Sequence, residues 1–254
     1  MAHRSIHNPR AAEPVSAPSP SCEPSRRPTE TSVYSFKDDP YSSHRLIPQL
    51  VRRLSPPGRV LDVGCDDGFA GRDLIAAGFQ VWGIDRNPVT LRKAARYYQH
   101  TILADVDSEL PLTDGAFDVI IFADILEHLT NPAAVFAHFA ESLAPGGLVI
   151  MSVPNVAYWH VRLSLLLGRF EYDDRGILDR THVLFFTLRT ARRFLEDAGF
   201  RIEAVDATPL PLPLVCSATA PGRPLFFLHT LGFRLARVWK TLFGYQLIFA
   251  ARKR

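Results

Sequence analysis

The sequence predicts one α/β domain built as a doubly wound, mostly parallel sheet. Two observations carry this. Short apolar strands and amphipathic helices alternate from residue 59 to residue 205. In addition, 254 residues at 47% hydrophobic content suffice for one sizeable core but not for several. Strand and helix in strict succession imply parallel pairing with helices on both faces.

Residues 1–30 carry six prolines and five serines with almost no large apolar side chain, a composition expected to stay disordered. The domain is read as residues 42–254. Leu46, Ile47, Leu50, Val51 and Leu54 recur at helical spacing until Pro56-Pro57-Gly58 stops them. Next come a strand at Arg59–Val63, a helix after Gly68, a strand at Gln80–Ile84, a helix from Pro88 and a strand at Thr101–Ala104. The alternation continues with a strand at Phe117–Phe122, a helix opened by Asn131-Pro132 and a strand at Leu148–Ser152. Residues 153–180 then leave the rhythm just after a strand end and are read as a lid. A helix at Leu188–Ala198, a strand at Phe200–Val205 and a last strand at Tyr245–Ala251 complete the chain, with a proline-rich insertion at 207–240 between the two strands. In that insertion Leu225, Leu228, Leu231, Leu235 and Val238 share a helical face, expected to dock on the domain's own core, with contact to a membrane surface as the alternative.

Composition narrows the function classes. The net charge is only +3 and the basic residues are scattered, so no stripe suits a nucleic-acid backbone. Cys22, Cys65 and Cys216 are odd in number and widely spaced, which fits a reducing, cytoplasmic setting and neither a disulfide framework nor a thiolate metal site. No stretch of about 18 apolar residues and no signal-peptide pattern occurs.

The chemistry concentrates at strand ends. In Val60-Leu61-Asp62-Val63-Gly64-Cys65-Asp66-Asp67-Gly68 an apolar strand runs into a glycine turn, and Gly64 and Gly68 let backbone approach a ligand. Asp85 ends the second strand, where a carboxylate can accept both hydroxyls of a ribose or can cap the Asn87-Pro88 turn. Asp105 follows the third strand and can accept an exocyclic amine, with Val106 packed on the ring; a solvated turn is the plainer reading.

These segments, with Phe117-Asp118-Val119-Ile120 and Leu143-Ala144-Pro145-Gly146-Gly147, resemble the successive motifs of the class I S-adenosylmethionine-dependent methyltransferases, in order and spacing over residues 58–152. The resemblance implies a Rossmann-like sheet with an antiparallel last strand and S-adenosylmethionine as cofactor. It places Asp62 near the cofactor's amino-acid part and Gly64 and Gly68 along it. Asp85 falls at the ribose and Asp105 with Val106 at the adenine, while Phe122 at the fourth strand's end lines the site. One departure is Asp66, where the family usually has glycine; Asp tolerates left-handed backbone better than most residues.

Past the fourth strand lies Phe122-Ala123-Asp124-Ile125-Leu126-Glu127-His128, where the transferable methyl should emerge. His128 is the first candidate general base, Glu127 its orienting partner, and His182 a group facing the site from across the lid. Tyr158, Trp159, Phe170 and Tyr172 are candidates for an aromatic acceptor pocket, and Arg162, Arg169, Arg175 and Arg180 for anion contacts. Residues 176–187, with Val153-Pro154-Asn155-Val156-Ala157-Tyr158-Trp159 before them, resemble a bacterial branch associated with polysaccharides, lipids and secondary metabolites, so a small hydroxylated acceptor methylated on oxygen is expected. No resident metal is expected. Asp124, Glu127, His128 and His182 nonetheless have ligand chemistry, similar to that of metal-assisted 2′-O-methyltransferases acting on RNA. A nicotinamide-dependent reductase or epimerase fits less well, because Gly64-Cys65-Asp66-Asp67-Gly68-Phe69-Ala70-Gly71 departs from G-x-G-x-x-G and no Tyr-x-x-x-Lys occurs.

Overall fold

A computed structural model describes residues 39–111, 116–212 and 223–254, the side chains of 223–225 excepted. The proline-rich first 30 residues and part of the 207–240 insertion therefore lie outside the described residues. Helix α1 (Ser43–Leu54) leads into β1 (Arg59–Val63), α2 (Phe69–Ala76), β2 (Gln80–Asp85), α3 (Pro88–Ala94) and β3 (His100–Leu103). Then follow β4 (Phe117–Ala123), a 3₁₀ turn (Leu126–His128), α4 (Pro132–Glu141), β5 (Leu143–Pro154) and α5 (Trp159–Leu166). Helix α6 (Leu188–Asp197), β6 (Phe200–Thr208), α7 (Arg223–Val238), α8 (Lys240–Phe243) and β7 (Gln246–Lys253) end the chain.

Local chemistry sets the helix starts. Asn87 and Asn131 accept the backbone N–H of Val89 and Ala134, each followed by proline in the first turn, where its missing N–H costs nothing. Thr187 and Thr190 form a reciprocal capping box at the start of α6.

The seven strands lie in the order β3-β2-β1-β4-β5-β7-β6. The first five are parallel, and β7 pairs antiparallel with both β5 and β6. Alternation along the strands splits the core into two layers. Leu61, Val63, Ile120, Phe122, Val149 and Met151 meet Phe136 and Phe139 of α4 and Leu195 of α6. Val60, Val119, Ile121, Leu148 and Ile150 meet Ile47 and Val51 of α1, Leu74 of α2 and Leu91 of α3. The order of connection reverses between β1 and β4, so the crevice past their carboxyl ends is where this architecture receives ligands.

Two differences from the sequence reading involve helix α7. The ordered domain begins before residue 42: Asp39 is buried and bonds His229 of α7 at 2.8 Å, and Tyr41 stacks on Phe233 at 4.3 Å between ring centres. Helix α7 turns His229 and Ala236 inward and leaves Leu228, Leu231, Leu235 and Val238 at the surface, so the leucine face does not dock on the core. The leucine spacing predicts a packed stripe, whereas it is the polar His229 that faces inward and bonds Asp39. No helix among the described residues is long and apolar enough to cross a membrane.

Arg252 of β7 gathers three elements, bonding the Leu54 carbonyl at the end of α1, the Gly146 carbonyl within β5 and Glu203 of β6. Arg252→Ala strands these acceptors and is expected to cost about 2 kcal/mol in urea denaturation.

Candidate functional site

The turn after β1 carries three residues in left-handed backbone, Gly64 (φ 76°), Asp66 (φ 45°) and Gly68 (φ 82°). Asp66 thus adopts the conformation that its side chain tolerates and that glycine would otherwise supply. The turn is held from below. Gly64 and Cys65 donate to the Ile84 carbonyl, and the Asp66 N–H donates to Asp85 Oδ2 at 2.8 Å. Asp85 Oδ1 accepts the Asn87 N–H at 2.8 Å, so the carboxylate both braces the glycine turn and shapes the start of α3. It is half-buried, and each oxygen retains a second lone pair for a ligand.

Asp62 lies deeper than a rim residue. It is 1% exposed, and its Oδ2 accepts the Tyr98 hydroxyl at 2.7 Å while that hydroxyl accepts the Gly71 N–H at 3.1 Å. Burial pushes the Asp62 carboxyl up from 3.8 to about 7, opposed by the Tyr98 hydrogen bond and reinforced by Asp85 and Asp66. Asp105 is half-buried beside Arg86, whereas Val106 is buried with Ala104 in the core. Phe122 is fully buried between Phe136 and Phe139, so its side chain belongs to the core and only its backbone ends the strand at the crevice.

The turn after β4 crosses directly over the glycine loop: a Cβ added to Gly64 would come within 2.4 Å of Ile125 Cδ1. Asp124 holds this crossing in left-handed backbone (φ 54°) and accepts Ser152 of β5 at 2.6 Å and Gln246 of β7. Just beyond, Glu127, His128 and His182 converge, with one carboxylate oxygen and one ring nitrogen from each histidine all within 4.8 Å of one another. Backbone knits the far side in, because the Glu127 carbonyl accepts the N–H groups of Val183 and Leu184 at 2.8 and 3.0 Å.

Each member of this cluster has a definable state. His182 is buried and its Nδ1 faces the Ile177 carbonyl at 3.0 Å; a carbonyl only accepts, so Nδ1 carries a proton there. His128 Nδ1 faces the Thr181 carbonyl at 3.3 Å and the Thr181 hydroxyl at 3.1 Å, and that hydroxyl donates to Asp179 at 2.6 Å, which assigns the same tautomer. Burial, then the neighbouring His182, hold the His128 imidazole below its ordinary range, so it is neutral near pH 7. Glu127 is 1% exposed and neither carboxylate oxygen has a hydrogen-bond partner. Burial, with Asp124 adding to it, pushes its carboxyl well above the usual range.

Of the aromatic residues proposed for an acceptor pocket, Tyr158 is buried against Ile177 and Tyr245, while Trp159, Phe170 and Tyr172 are exposed. Arg162 is committed to the Ala157 and Thr241 carbonyls and Arg180 to Asp174. Sequence reasoning missed Tyr98 and Ile125, which act through contacts far apart in the chain that no local spacing announces.

A Rossmann-like sheet with this order, a left-handed glycine turn past β1 and an acidic end to β2 define an S-adenosylmethionine-dependent methyltransferase. Residues 37–205 match the family described as a methyltransferase domain, and the chain belongs to it. It is 31% identical over 163 residues to a ubiquinone biosynthesis O-methyltransferase of Xanthomonas axonopodis pv. citri, covering 60% of this chain and 67% of that one. It is 30% identical over 165 residues to a probable S-adenosylmethionine-dependent methyltransferase of Mycolicibacterium smegmatis, covering 64% of this chain and 60% of that one. Among solved structures, magnesium protoporphyrin IX methyltransferase from Synechocystis PCC 6803 with bound S-adenosylhomocysteine superposes with a TM-score of 0.55 at 19% identity, over 82% of this chain and 80% of that one. The nicotinamide-dependent alternative falls with the family assignment. The open glycine turn and the acidic ends of β2 and β3 suit a nucleoside bearing an amino-acid chain, which supplies an electrophilic sulfonium methyl group when bound.

Two outcomes follow. Asp85→Ala removes the brace on Asp66 at the glycine turn, and is expected to weaken S-adenosylmethionine binding at least about 10-fold by calorimetry, on the order of 1.4 kcal/mol. For Asp62, the folded carboxyl keeps its proton up to about pH 7 while the unfolded one loses it near 3.8, so stability falls as pH rises through that window. Asp62→Asn, which keeps the Tyr98 contact, is expected to reduce the loss between pH 5 and pH 8 by roughly 2–3 kcal/mol in urea denaturation.

Proposed function

We propose that the protein transfers a methyl group from S-adenosylmethionine to an oxygen of a small hydroxylated acceptor, such as a secondary metabolite, a sugar or a lipid-linked precursor. The observation that carries this is the convergence of Glu127, His128 and His182 beside the turn that crosses the cofactor loop at Ile125. In-line displacement needs acceptor, methyl and sulfur aligned, and a hydroxyl acceptor must also lose its proton. A neutral imidazole whose Nδ1 is fixed on Thr181 offers Nε2 to that hydroxyl, and Asp179 holds Thr181 and so the ring's orientation. His128 is thus the residue assigned to the acceptor proton, with His182 and Glu127 completing the surface that meets the oxygen. Similarity to relatives named O-methyltransferases supports oxygen as the acceptor atom. The outward faces of α5 and α7, with Leu166, Leu167, Val238 and Trp239 exposed, support contact with a lipid surface and hence an apolar acceptor.

Asp62, Gly64, Gly68, Asp85 and Asp105 are assigned to the methyl donor, Asp62 through the Tyr98 network under the loop. The test is transfer of labelled methyl to a panel of phenols, catechols, sugars and amines. Label on hydroxylated compounds is expected, with His128→Ala lowering kcat about 10²- to 10⁴-fold and leaving donor affinity unchanged. Transfer to amines alone would remove the oxygen assignment.

A further inference from the structure

We propose that α7 is an interfacial helix that docks the protein on an anionic phospholipid bilayer, its bare apolar stripe entering the headgroup region and a neighbouring basic groove taking lipid phosphate. The proposal rests on the reading that the protein meets a lipid surface and deepens it by naming the face and the headgroup chemistry. Helix α7 lies past residue 205, where the family match ends, so this face belongs to the chain's own insertion and not to the shared domain.

The stripe is bare because the helix is pinned with its other side inward. His229 bonds Asp39 at 2.8 Å, Thr230 shares a hydrogen bond with Tyr41 at 3.2 Å, Phe233 stacks on Tyr41 and Ala236 is buried. That leaves Phe227, Leu228, Leu231, Leu235, Val238 and Trp239 outward, between 39% and 86% exposed. Six large apolar side chains along one helix form a patch that marks an interaction face on a soluble surface.

Charge selects the partner. From residue 207 to the end the sequence holds seven Arg or Lys residues and no Asp or Glu. Beside the stripe, Arg53 of α1, Arg234, Arg237 and Lys240 line a groove of about 490 Å³ whose one acidic group, Asp206, pairs with Arg237 at 3.7 Å. Among the described residues Arg53 and Arg234 meet no acidic partner, and guanidinium forks without a carboxylate suit phosphate oxygens. Val238 belongs to both groove and stripe, so the two features form one surface. A nucleic acid would use the cations and leave the stripe in water, and a second copy would set one acid-free surface against another. An anionic bilayer satisfies both at once, apolar side chains below the phosphates and cations level with them. Arg162 of α5 bonds the Thr241 carbonyl of α8 at 3.2 Å, so the segment that follows β5 at the crevice is tied to the docked end of α7.

The test is co-sedimentation of the full chain with phosphatidylcholine vesicles and with vesicles holding about one third phosphatidylglycerol, alongside quenching of tryptophan fluorescence by lipids brominated on the acyl chain. Binding at least about 10-fold tighter to the anionic vesicles is expected, weakened at least about 10-fold by Arg53→Glu with Arg234→Glu and by Leu231→Ser with Val238→Ser. The quenching is expected to vanish in Trp239→Phe. All five positions are exposed, and circular dichroism checks that each variant folds; should a pair fail to fold, the Trp239→Phe result decides. Equal binding to both vesicles would overturn the proposal, as would indifference to both pairs or quenching retained in Trp239→Phe, which places the contact on another face. A dimer in sedimentation that Leu231→Ser with Val238→Ser dissociates would assign the stripe to a second copy instead. Methyl transfer to soluble hydroxylated compounds is read separately, so transfer without docking overturns only the membrane face, and docking without transfer overturns only the acceptor reading.

Discussion

The hydrogen bond from the Asp66 N–H to Asp85 Oδ2 joins the end of β1 to the end of β2 and fixes the left-handed turn between them. Much of the site depends on it. The turn sets the height of Gly64, and Ile125 can cross there only because Gly64 lacks a side chain. Where Ile125 crosses determines where Glu127 and His128 emerge. One backbone contact between neighbouring parallel strands therefore relates the glycine turn past β1 to the cluster of Glu127, His128 and His182.

The two halves are built on different physical terms. Around the glycine turn most polar groups are satisfied, Asp62 by Tyr98, Asp85 by two backbone N–H groups and Asp67 Oδ2 by Lys93 at 3.0 Å, with only Asp67 Oδ1 left over. In the cluster beyond β4 neither Glu127 carboxylate oxygen bonds another residue, and each histidine uses one ring nitrogen in a hydrogen bond. A fully satisfied network gives rigidity, whereas unsatisfied buried groups are held in place by the surrounding fold and wait for something to complete them.

Most of the fold was legible because alternation and punctuation are local signals. Asn87-Pro88 and Asn131-Pro132 begin helices where the sequence placed them, and β1 spans the expected Arg59–Val63. The left-handed turn at Gly64 and Gly68 and the position of Asp85 at the end of β2 follow from the same local signals. The acceptor side was legible only as a set of residue types. Nothing local showed that His182 lies 4.8 Å from His128 between ring centres, or that Thr181 and Asp179 orient that ring from the far side of the lid. The burial of Phe122 and Val106 in the core was not legible either, since a position at or after a strand end does not reveal which way its side chain points. The face that α7 presents was misjudged because leucine spacing on a helix is the same whether the stripe is packed or bare.

The clasp between Asp39 and His229 spans almost the entire chain, yet it lies outside the run of strands and helices that delimits the domain on paper. A fragment trimmed to start at residue 42 would keep every strand of the sheet and lose the buried partner that seats α7, along with the Tyr41 ring stacked on Phe233. For anyone choosing boundaries for expression, the workable unit is thus set by a polar contact between its two ends. Where regular structure begins and where cooperative structure begins are different places in this chain.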